Sequence, residues 1–180
     1  MMRGDVMVLT EGQSVVVTTA DVLGENGLIP TTYLALPEDV SSGDRILLDD
    51  GLLELQVEKV SGNDVHCLVL VGGELKNRKG MNLPGVAVSA PALTDEDIID
   101  LDFCLAQDLD YLALSFVRSA ADVIQLKALL SQRQASIQVI AKIEMPEALK
   151  NLREIILESD GIMIARGDLG VETPIEQVPL

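Results

Sequence analysis

The fold is decided by two segments, QVIAKIE at residues 138–144 and GIMIARGDLG at residues 161–170. Each begins as a mainly apolar run, which is typical of a buried strand. Residues 145–159 lie between them with apolar side chains at helical spacing, and Pro146 stands where a first helical turn tolerates a missing N–H. A strand, a helix and a second strand in this order favour a parallel pair with a right-handed crossover.

Charged side chains lie at the ends of both predicted strands. Lys142 and Glu144 are two residues apart, so in a strand they face the same side, and Asp168 follows the next strand. Neighbouring parallel strands therefore bring the two carboxylates to one rim, where they suit a hard divalent cation such as Mg²⁺. A lysine beside them can stabilise a transferring phosphoryl group. Gly167 and Gly170 would let the backbone approach a ligand, and the N–H groups that open the next helix would attract an anion.

Each of these charged residues also has a simpler interpretation. Lysines and glutamates at strand ends are usually solvated or paired in surface ion pairs. Their combination at one rim of a parallel sheet favours a ligand site instead, because such sheets bind ligands beyond the carboxyl ends of their strands.

The rest of the second half predicts further alternation of helices and strands. Thr94, with an acid three residues later, predicts the N-cap of a helix. The apolar face of that helix would consist of Ile98, Leu101, Phe103 and Leu105. Residues 111–116 predict an apolar strand covered on both faces, and Ser119 predicts the cap of another helix. This order predicts an α/β fold that is part of a (β/α) barrel or of an open sheet. A complete barrel needs about eight such units, and this half has roughly three.

The first half predicts a small all-β domain. Runs with strand character, separated by turn signals such as Asp49-Asp50-Gly51, occupy residues 15–19, 44–48, 53–60 and 65–71. Short strands at this spacing indicate a small β-barrel. Residues 75–85 are instead basic and rich in Gly and Pro, which predicts a shaped loop. That loop is equally consistent with a contact to phosphate oxygens and with a solvated linker.

Composition excludes several classes of protein. The net charge of −16 argues against a general nucleic-acid or anionic-membrane surface, and 2% aromatic residues leave no stacking platform for single-stranded nucleic acid. No apolar run reaches the roughly 18 residues of a membrane helix, and residues 1–10 do not predict a secretory signal. Cys67 and Cys104 lack metal-ligand spacing, so we expect buried free thiols of a cytoplasmic protein. His66 lies in an alternating strand pattern and is expected to be structural.

The order of motifs along the chain resembles the pyruvate kinase family. The segments AKIE at 141–144 and DGIMIARGDLGVE at 160–172 resemble its active-site core. LLDDGL at 47–52 resembles the turn of its lid domain, and GGELKNRKGMNLPG at 72–85 resembles the return to the barrel. LTDED at 93–97 and SFVR at 115–118 follow in the family's order. The resemblance implies a small β-barrel lid at residues 1–88, followed at 89–180 by part of a catalytic (β/α)8 TIM-type barrel.

The resemblance also implies roles for single residues. Glu144 and Asp168 resemble ligands of Mg²⁺ (or Mn²⁺), and Lys142 resembles the lysine that stabilises the phosphoryl group in flight. Gly167 and Asp168 resemble the backbone cradle of the substrate carboxylate, and Lys79 resembles a lysine on the nucleotide side. The resemblance also implies that Ser115, Phe116 and Arg118 line the same rim and, with Lys142, belong to the substrate-binding residues. The implied reaction is the last step of glycolysis, in which phosphoenolpyruvate and ADP give pyruvate and ATP, with Mg²⁺ and usually K⁺. The full-length enzyme would be a cytoplasmic homo-oligomer, a tetramer.

The resemblance leaves part of the family's site unaccounted for. The family's K⁺ ligands and its arginine for the substrate phosphate belong to Asn-x-Ser-His-Gly and Lys-Gly-Pro-x-Ile-Arg motifs that this sequence lacks. We therefore expect that the chain alone does not convert phosphoenolpyruvate and ADP into pyruvate and ATP. Two alternatives are a truncated gene product that acts as a non-catalytic binding or interaction fragment, and a lyase-type phosphoenolpyruvate or pyruvate barrel. The lid segment argues against the lyase.

Overall fold

The computed structural model of the chain describes residues 4–174, 176 and 178. The chain divides into two units, Met1–Ala90 and Pro91–Leu180. The first consists of strands with one short helix, and the second of alternating helices and strands. None of the helices among the described residues has the length and apolar character that crossing a bilayer requires.

The first unit contains the strands that the sequence predicts. Its elements are β1 (Val6–Leu9), β2 (Ser14–Thr18), β3 (Leu28–Pro30), α1 (Leu36–Asp39), β4 (Arg45–Leu48), β5 (Leu53–Ser61), β6 (Asp64–Val71), β7 (Gly73–Lys76) and β8 (Met81–Asn82). Strands β1 and β7 pair antiparallel, and the other six form one sheet in the order β3-β2-β6-β5-β4-β8. Pairing that would close this sheet is not among the described strand pairs, so the predicted β-barrel stays a prediction.

Alternating side chains and tight turns explain this sheet. Along β5 and β6, buried apolar residues alternate with partly exposed ones, and the buried set forms the core of the unit. The predicted turn between β4 and β5 is confirmed, since Asp49, Asp50 and Gly51 all have positive φ (53°, 56° and 83°). The prediction of a loop over residues 75–85 is only partly right, because the stretch begins within β7 and contains β8.

The second unit is a parallel sheet with helices in its connections. Its elements are α2 (Asp95–Leu105), β9 (Tyr111–Leu114), α3 (Ala120–Gln132), β10 (Gln138–Ile143), α4 (Pro146–Lys150), α5 (Leu152–Glu158), β11 (Gly161–Ile164) and α6 (Arg166–Glu172). Both neighbours of β10 run parallel to it, in the order β11-β10-β9. The predicted α/β character and the parallel strand pair are confirmed.

Two helix caps follow the sequence prediction closely. Thr94 and Asp97 form a capping box, in which the Asp97 N–H donates to Thr94 Oγ1 at 3.1 Å and the Thr94 N–H donates to Asp97 Oδ2 at 2.8 Å. At the start of α3, the Ser119 N–H donates to Asp122 Oδ2 at 2.9 Å. These bonds satisfy main-chain groups that a helix start would otherwise leave unpaired.

Three predictions about this unit are wrong in detail. The single helix over residues 145–159 is two helices that meet at Asn151, whose φ of −107° and ψ of 16° lie outside the helical region. Phe103 is 68% exposed and does not belong to the buried face of α2. Strand β9 is not covered on both faces, because Tyr111 is 59% exposed while Leu114 is buried.

The two cysteines differ in their surroundings. Cys67 is fully buried in the core of the first unit, and burial raises the pKa of its thiol to about 12. Cys104 is only half-buried, so the expectation of a buried thiol is right for Cys67 alone. Both are free thiols, and His66 lies half-buried on β6.

Candidate active site

Strand β10 carries the two charged residues at the centre of the candidate site. Its apolar side chains at Val139, Ala141 and Ile143 are fully buried and hold the strand in place. The Lys142 side chain stays 25% exposed, whereas Glu144, just beyond the strand, is 1% exposed. Lys142 Nζ and Glu144 Oε1 form an ion pair at 2.5 Å. The sequence prediction that these two side chains come together is therefore confirmed.

The end of β9 supplies the remaining partners of this pair. Lys142 Nζ donates to Ser115 Oγ at 2.9 Å, and the main-chain N–H of Phe116 donates to Glu144 Oε2 at 2.7 Å. Phe116 has a φ of 54°, in the left-handed region. Each oxygen of the Glu144 carboxylate thus has one hydrogen-bonding or ionic partner, which offsets the cost of burying its charge.

Asp168 lies at the same end of the parallel sheet. The Ala165 N–H donates to Ile143 O at 3.1 Å and extends the pairing of β10 and β11 to the rim, where α6 begins at once. Asp168 is half-buried in the first turn of α6. Gly167 is exposed, and a Cβ at this position would meet no heavy atom within 4 Å. The backbone there is open to an approaching ligand.

These carboxylates suit Mg²⁺ better than a metal that demands an all-protein shell. Among the described residues, no group of three or more His, Cys, Asp and Glu side chains is placed to hold a metal ion. Glu144 and Asp168 would therefore supply at most two protein side chains, and water or substrate oxygens would fill the other positions. Mg²⁺ is usually bound in this way, so the residues present fit it.

Arg118 is held by its main chain in the loop between β9 and α3. Its N–H donates to Asp122 Oδ2 at 2.8 Å, and its carbonyl oxygen accepts from Asn151 Nδ2 at 2.8 Å. Asn151 is the residue at which α4 and α5 meet. Its hydrogen bond thus links the β10–β11 connection to the loop between β9 and α3. The substrate contact predicted for Arg118 stays a prediction.

Lys79 belongs to the first unit and is paired there. Its Nζ lies 2.8 Å from Asp49 Oδ1, and this hydrogen bond raises the pKa of Lys79. The Asp49 N–H in turn donates to Gly80 O at 3.1 Å. The basic segment is thereby joined to the turn between β4 and β5, and the two alternatives for residues 75–85, a contact to phosphate oxygens and a solvated linker, both stay open. The nucleotide role of Lys79 stays a prediction.

Sequence reasoning missed one acidic residue that organises the opposite end of β10. Asp160 Oδ2 accepts from the Val139 N–H at 2.8 Å, and Asp160 Oδ1 pairs with Lys127 Nζ at 3.0 Å. The main-chain bond first and the lysine second lower the pKa of Asp160. The available signal was an acid directly before the strand glycine, in a position to cap the neighbouring strand.

The second unit is an α/β domain whose parallel sheet carries a lysine–glutamate pair and a further carboxylate beyond its strand ends, which is where domains of this class commonly bind ligands. The sequence model of the protein family described as pyruvate kinase, barrel domain, matches residues 1–180. The chain belongs to the pyruvate kinase family.

Relatives and a solved structure agree with this assignment. The chain is 50% identical over 170 residues to a pyruvate kinase of Mycobacterium intracellulare, and the match covers 94% of this chain and 36% of that protein. It is 47% identical over 182 residues to one of Geobacillus stearothermophilus, covering 99% and 31%. The crystal structure of a pyruvate kinase from Cryptosporidium parvum superposes with a TM-score of 0.89 at 39% identity, covering 99% and 38%. The chain thus spans about a third of the length of these relatives.

Proposed function

We propose that this chain supplies a β-barrel lid, at residues 1–88, and the middle of the catalytic (β/α)8 barrel, at residues 89–180, of a pyruvate kinase. The reaction is transfer of the phosphoryl group of phosphoenolpyruvate to ADP, which gives pyruvate and ATP. The observation that carries the proposal is the Lys142–Glu144 ion pair of 2.5 Å, held at the carboxyl ends of β9 and β10. A cation held in a fixed position supports phosphoryl transfer, because that chemistry depends on positioning and on stabilising the charge of the phosphoryl oxygens.

The roles of the charged residues follow from their surroundings. The Lys142 side chain is partly exposed, and its ammonium group would contact the phosphoryl oxygens and stabilise the charge they carry during transfer. Glu144 and Asp168 would hold Mg²⁺, or Mn²⁺ in its place. When bound, the metal supplies positive charge that neutralises the phosphoryl and carboxylate oxygens of the substrate.

The remaining residues would bind and orient the substrates. Gly167 and Asp168 would present main-chain N–H groups to the substrate carboxylate, and Lys79 would contact the nucleotide. The rim would be completed by Ser115, Phe116 and Arg118. The K⁺ requirement, the tetrameric assembly and the cytoplasmic location that accompany this function remain predictions.

The proposal is tested by Mn²⁺ binding to the purified chain, measured by electron paramagnetic resonance with and without oxalate, a mimic of enolpyruvate. We expect oxalate to tighten Mn²⁺ binding to the wild-type chain, and Glu144→Gln to abolish the effect. Glu158→Gln is the matched control, because this exposed carboxylate ends α5 at the opposite end of the sheet. Weak Mn²⁺ binding that responds neither to oxalate nor to Glu144→Gln would refute the proposal.

A further inference from the structure

We propose that Ser115 and Phe116 act as positioning residues for the two charged groups of the site. The Ser115 hydroxyl fixes the ammonium group of Lys142, and the Phe116 N–H fixes the carboxylate of Glu144. The two residues that directly follow β9 would therefore orient both charged groups carried by the neighbouring strand β10. This inference rests on the proposed function, because that function gives the orientation of the two charged groups its purpose. It concerns how the residues of the site are held in place.

The strand register brings these four residues together. Ala141 lies opposite Leu114, the last residue of β9, in the parallel ladder. The residues that follow on each strand are therefore neighbours. Lys142 contacts Ser115, and Glu144 contacts Phe116. Lys142 and Glu144 are also paired with each other, and Ser115 and Phe116 are consecutive, so three contacts and the main chain between these two residues close a ring. A ring of charge-assisted hydrogen bonds limits the movement of each member more than one bond would.

The backbone of Phe116 is the second observation. A large side chain at a φ of 54° is uncommon, and such a conformation persists only where the surroundings enforce it. Here the N–H of that residue is bonded to a carboxylate that is 1% exposed. A buried carboxylate needs hydrogen bonds, so the unusual backbone has a physical counterpart in the site.

The two positioning groups touch different charges, which makes their effects separable. Ser115 contacts the lysine that would face the anion, and Phe116 contacts the carboxylate that would face the metal. Loss of the Ser115 hydroxyl should therefore weaken the coupling between anion and metal. Loss of the Phe116 N–H should weaken binding of the metal itself.

The Ser115 arm compares Ser115→Ala with Ser115→Thr, which keeps the hydroxyl, and with Ser136→Ala, an exposed serine before β10 as control. We expect Ser115→Ala to reduce the tightening of Mn²⁺ binding by oxalate about tenfold, the usual effect of losing a hydrogen bond to a charged group. Ser115→Thr and the control should behave as wild type. Full coupling in Ser115→Ala, or equal loss in Ser115→Thr, would overturn the inference.

The Phe116 arm removes only the N–H, by replacing Phe116 with its α-hydroxy acid so that an ester takes the place of the amide. We expect about tenfold weaker Mn²⁺ binding by this ester. Phe116→Gly keeps the N–H and accepts positive φ, so it should retain Mn²⁺ binding. Wild-type Mn²⁺ binding by the ester, or weaker Mn²⁺ binding by Phe116→Gly than by the ester, would overturn the assignment.

A ligand-free measurement separates this inference from the proposed function. In NMR spectra of the Lys142 ammonium group, proton exchange with water should be slow in the wild type, faster in Ser115→Ala and slow again in Ser115→Thr. A wild-type chain that ignores oxalate but shows this pattern would refute the proposed function and support the positioning role. Unchanged exchange in Ser115→Ala would refute the positioning role.

Discussion

Replacing Lys142 by Met removes the cation next to a buried carboxylate while keeping most of the apolar stem. Glu144 is 1% exposed and would lose its partner at 2.5 Å, yet it would keep the hydrogen bond from the Phe116 N–H. Removing one member of a fully buried ion pair costs about 3–5 kcal/mol. Because Lys142 is 25% exposed and one hydrogen bond remains, we expect a smaller loss of about 2 kcal/mol in the free energy of unfolding.

The assay is a double-mutant cycle of Lys142→Met and Glu144→Gln, followed by urea unfolding at pH 7. When Glu144 is replaced by an uncharged amide, Lys142→Met no longer leaves a buried charge without its partner. The double variant should therefore lose about 1.5 kcal/mol less than the sum of the single losses. Lys150→Met on the exposed side of α4 is the control and should stay within about 0.5 kcal/mol of wild type.

Additive losses in this cycle would refute the reasoning. They would mean that the free energy of unfolding does not depend on the proximity of the two charges, despite the short distance between them. An unchanged urea midpoint for Lys142→Met would refute the claim that the carboxylate charge is buried and dependent on the lysine.

Three further predictions concern other parts of the chain. Gly72→Ala should destabilise by about 2 kcal/mol, because its Cβ would lie 2.5 Å from a main-chain oxygen of β1, whereas Gly80→Ala meets open space and should be nearly neutral in urea unfolding. A thiol reagent at pH 8 should modify Cys104 in the folded chain and Cys67 only after unfolding. Asp160→Asn should destabilise by about 1 kcal/mol near neutral pH. Because the pKa of Asp160 is lowered on folding, that difference should vanish as pH falls below the unfolded pKa and through the folded one, in urea midpoints measured across this range.

The parallel strands of the second unit could be predicted because local pattern and topology agree there. The apolar runs of β10 and β11 and the helical spacing between them leave little choice of order or direction. The break at Asn151 could not be predicted, because the apolar spacing continues through it. At this break the Asn151 side chain donates to the Arg118 carbonyl oxygen, a tertiary contact with a loop more than thirty residues earlier.

Exposure was the weakest part of the prediction. The apolar sequence of β9 suggested two covered faces, and the apolar residues of α2 suggested that Phe103 is buried. Hydrophobic character states only that burial would be favourable, whereas burial itself depends on which elements pack against a given face. Tyr111 and Phe103 are exposed because the described residues place no cover over them.

The candidate site shows a sharper division between what a sequence can and cannot reveal. Lys142, Glu144 and Asp168 could be found because their side-chain types and spacing on neighbouring strands carry the chemistry. The Phe116 N–H could not, because every residue except proline has that group and only the backbone conformation gives it a direction. The left-handed φ of Phe116 would have been assigned to glycine or asparagine from residue type alone. A strained main-chain donor facing a buried carboxylate is therefore a feature to look for in the structure, after the sequence has located the carboxylate.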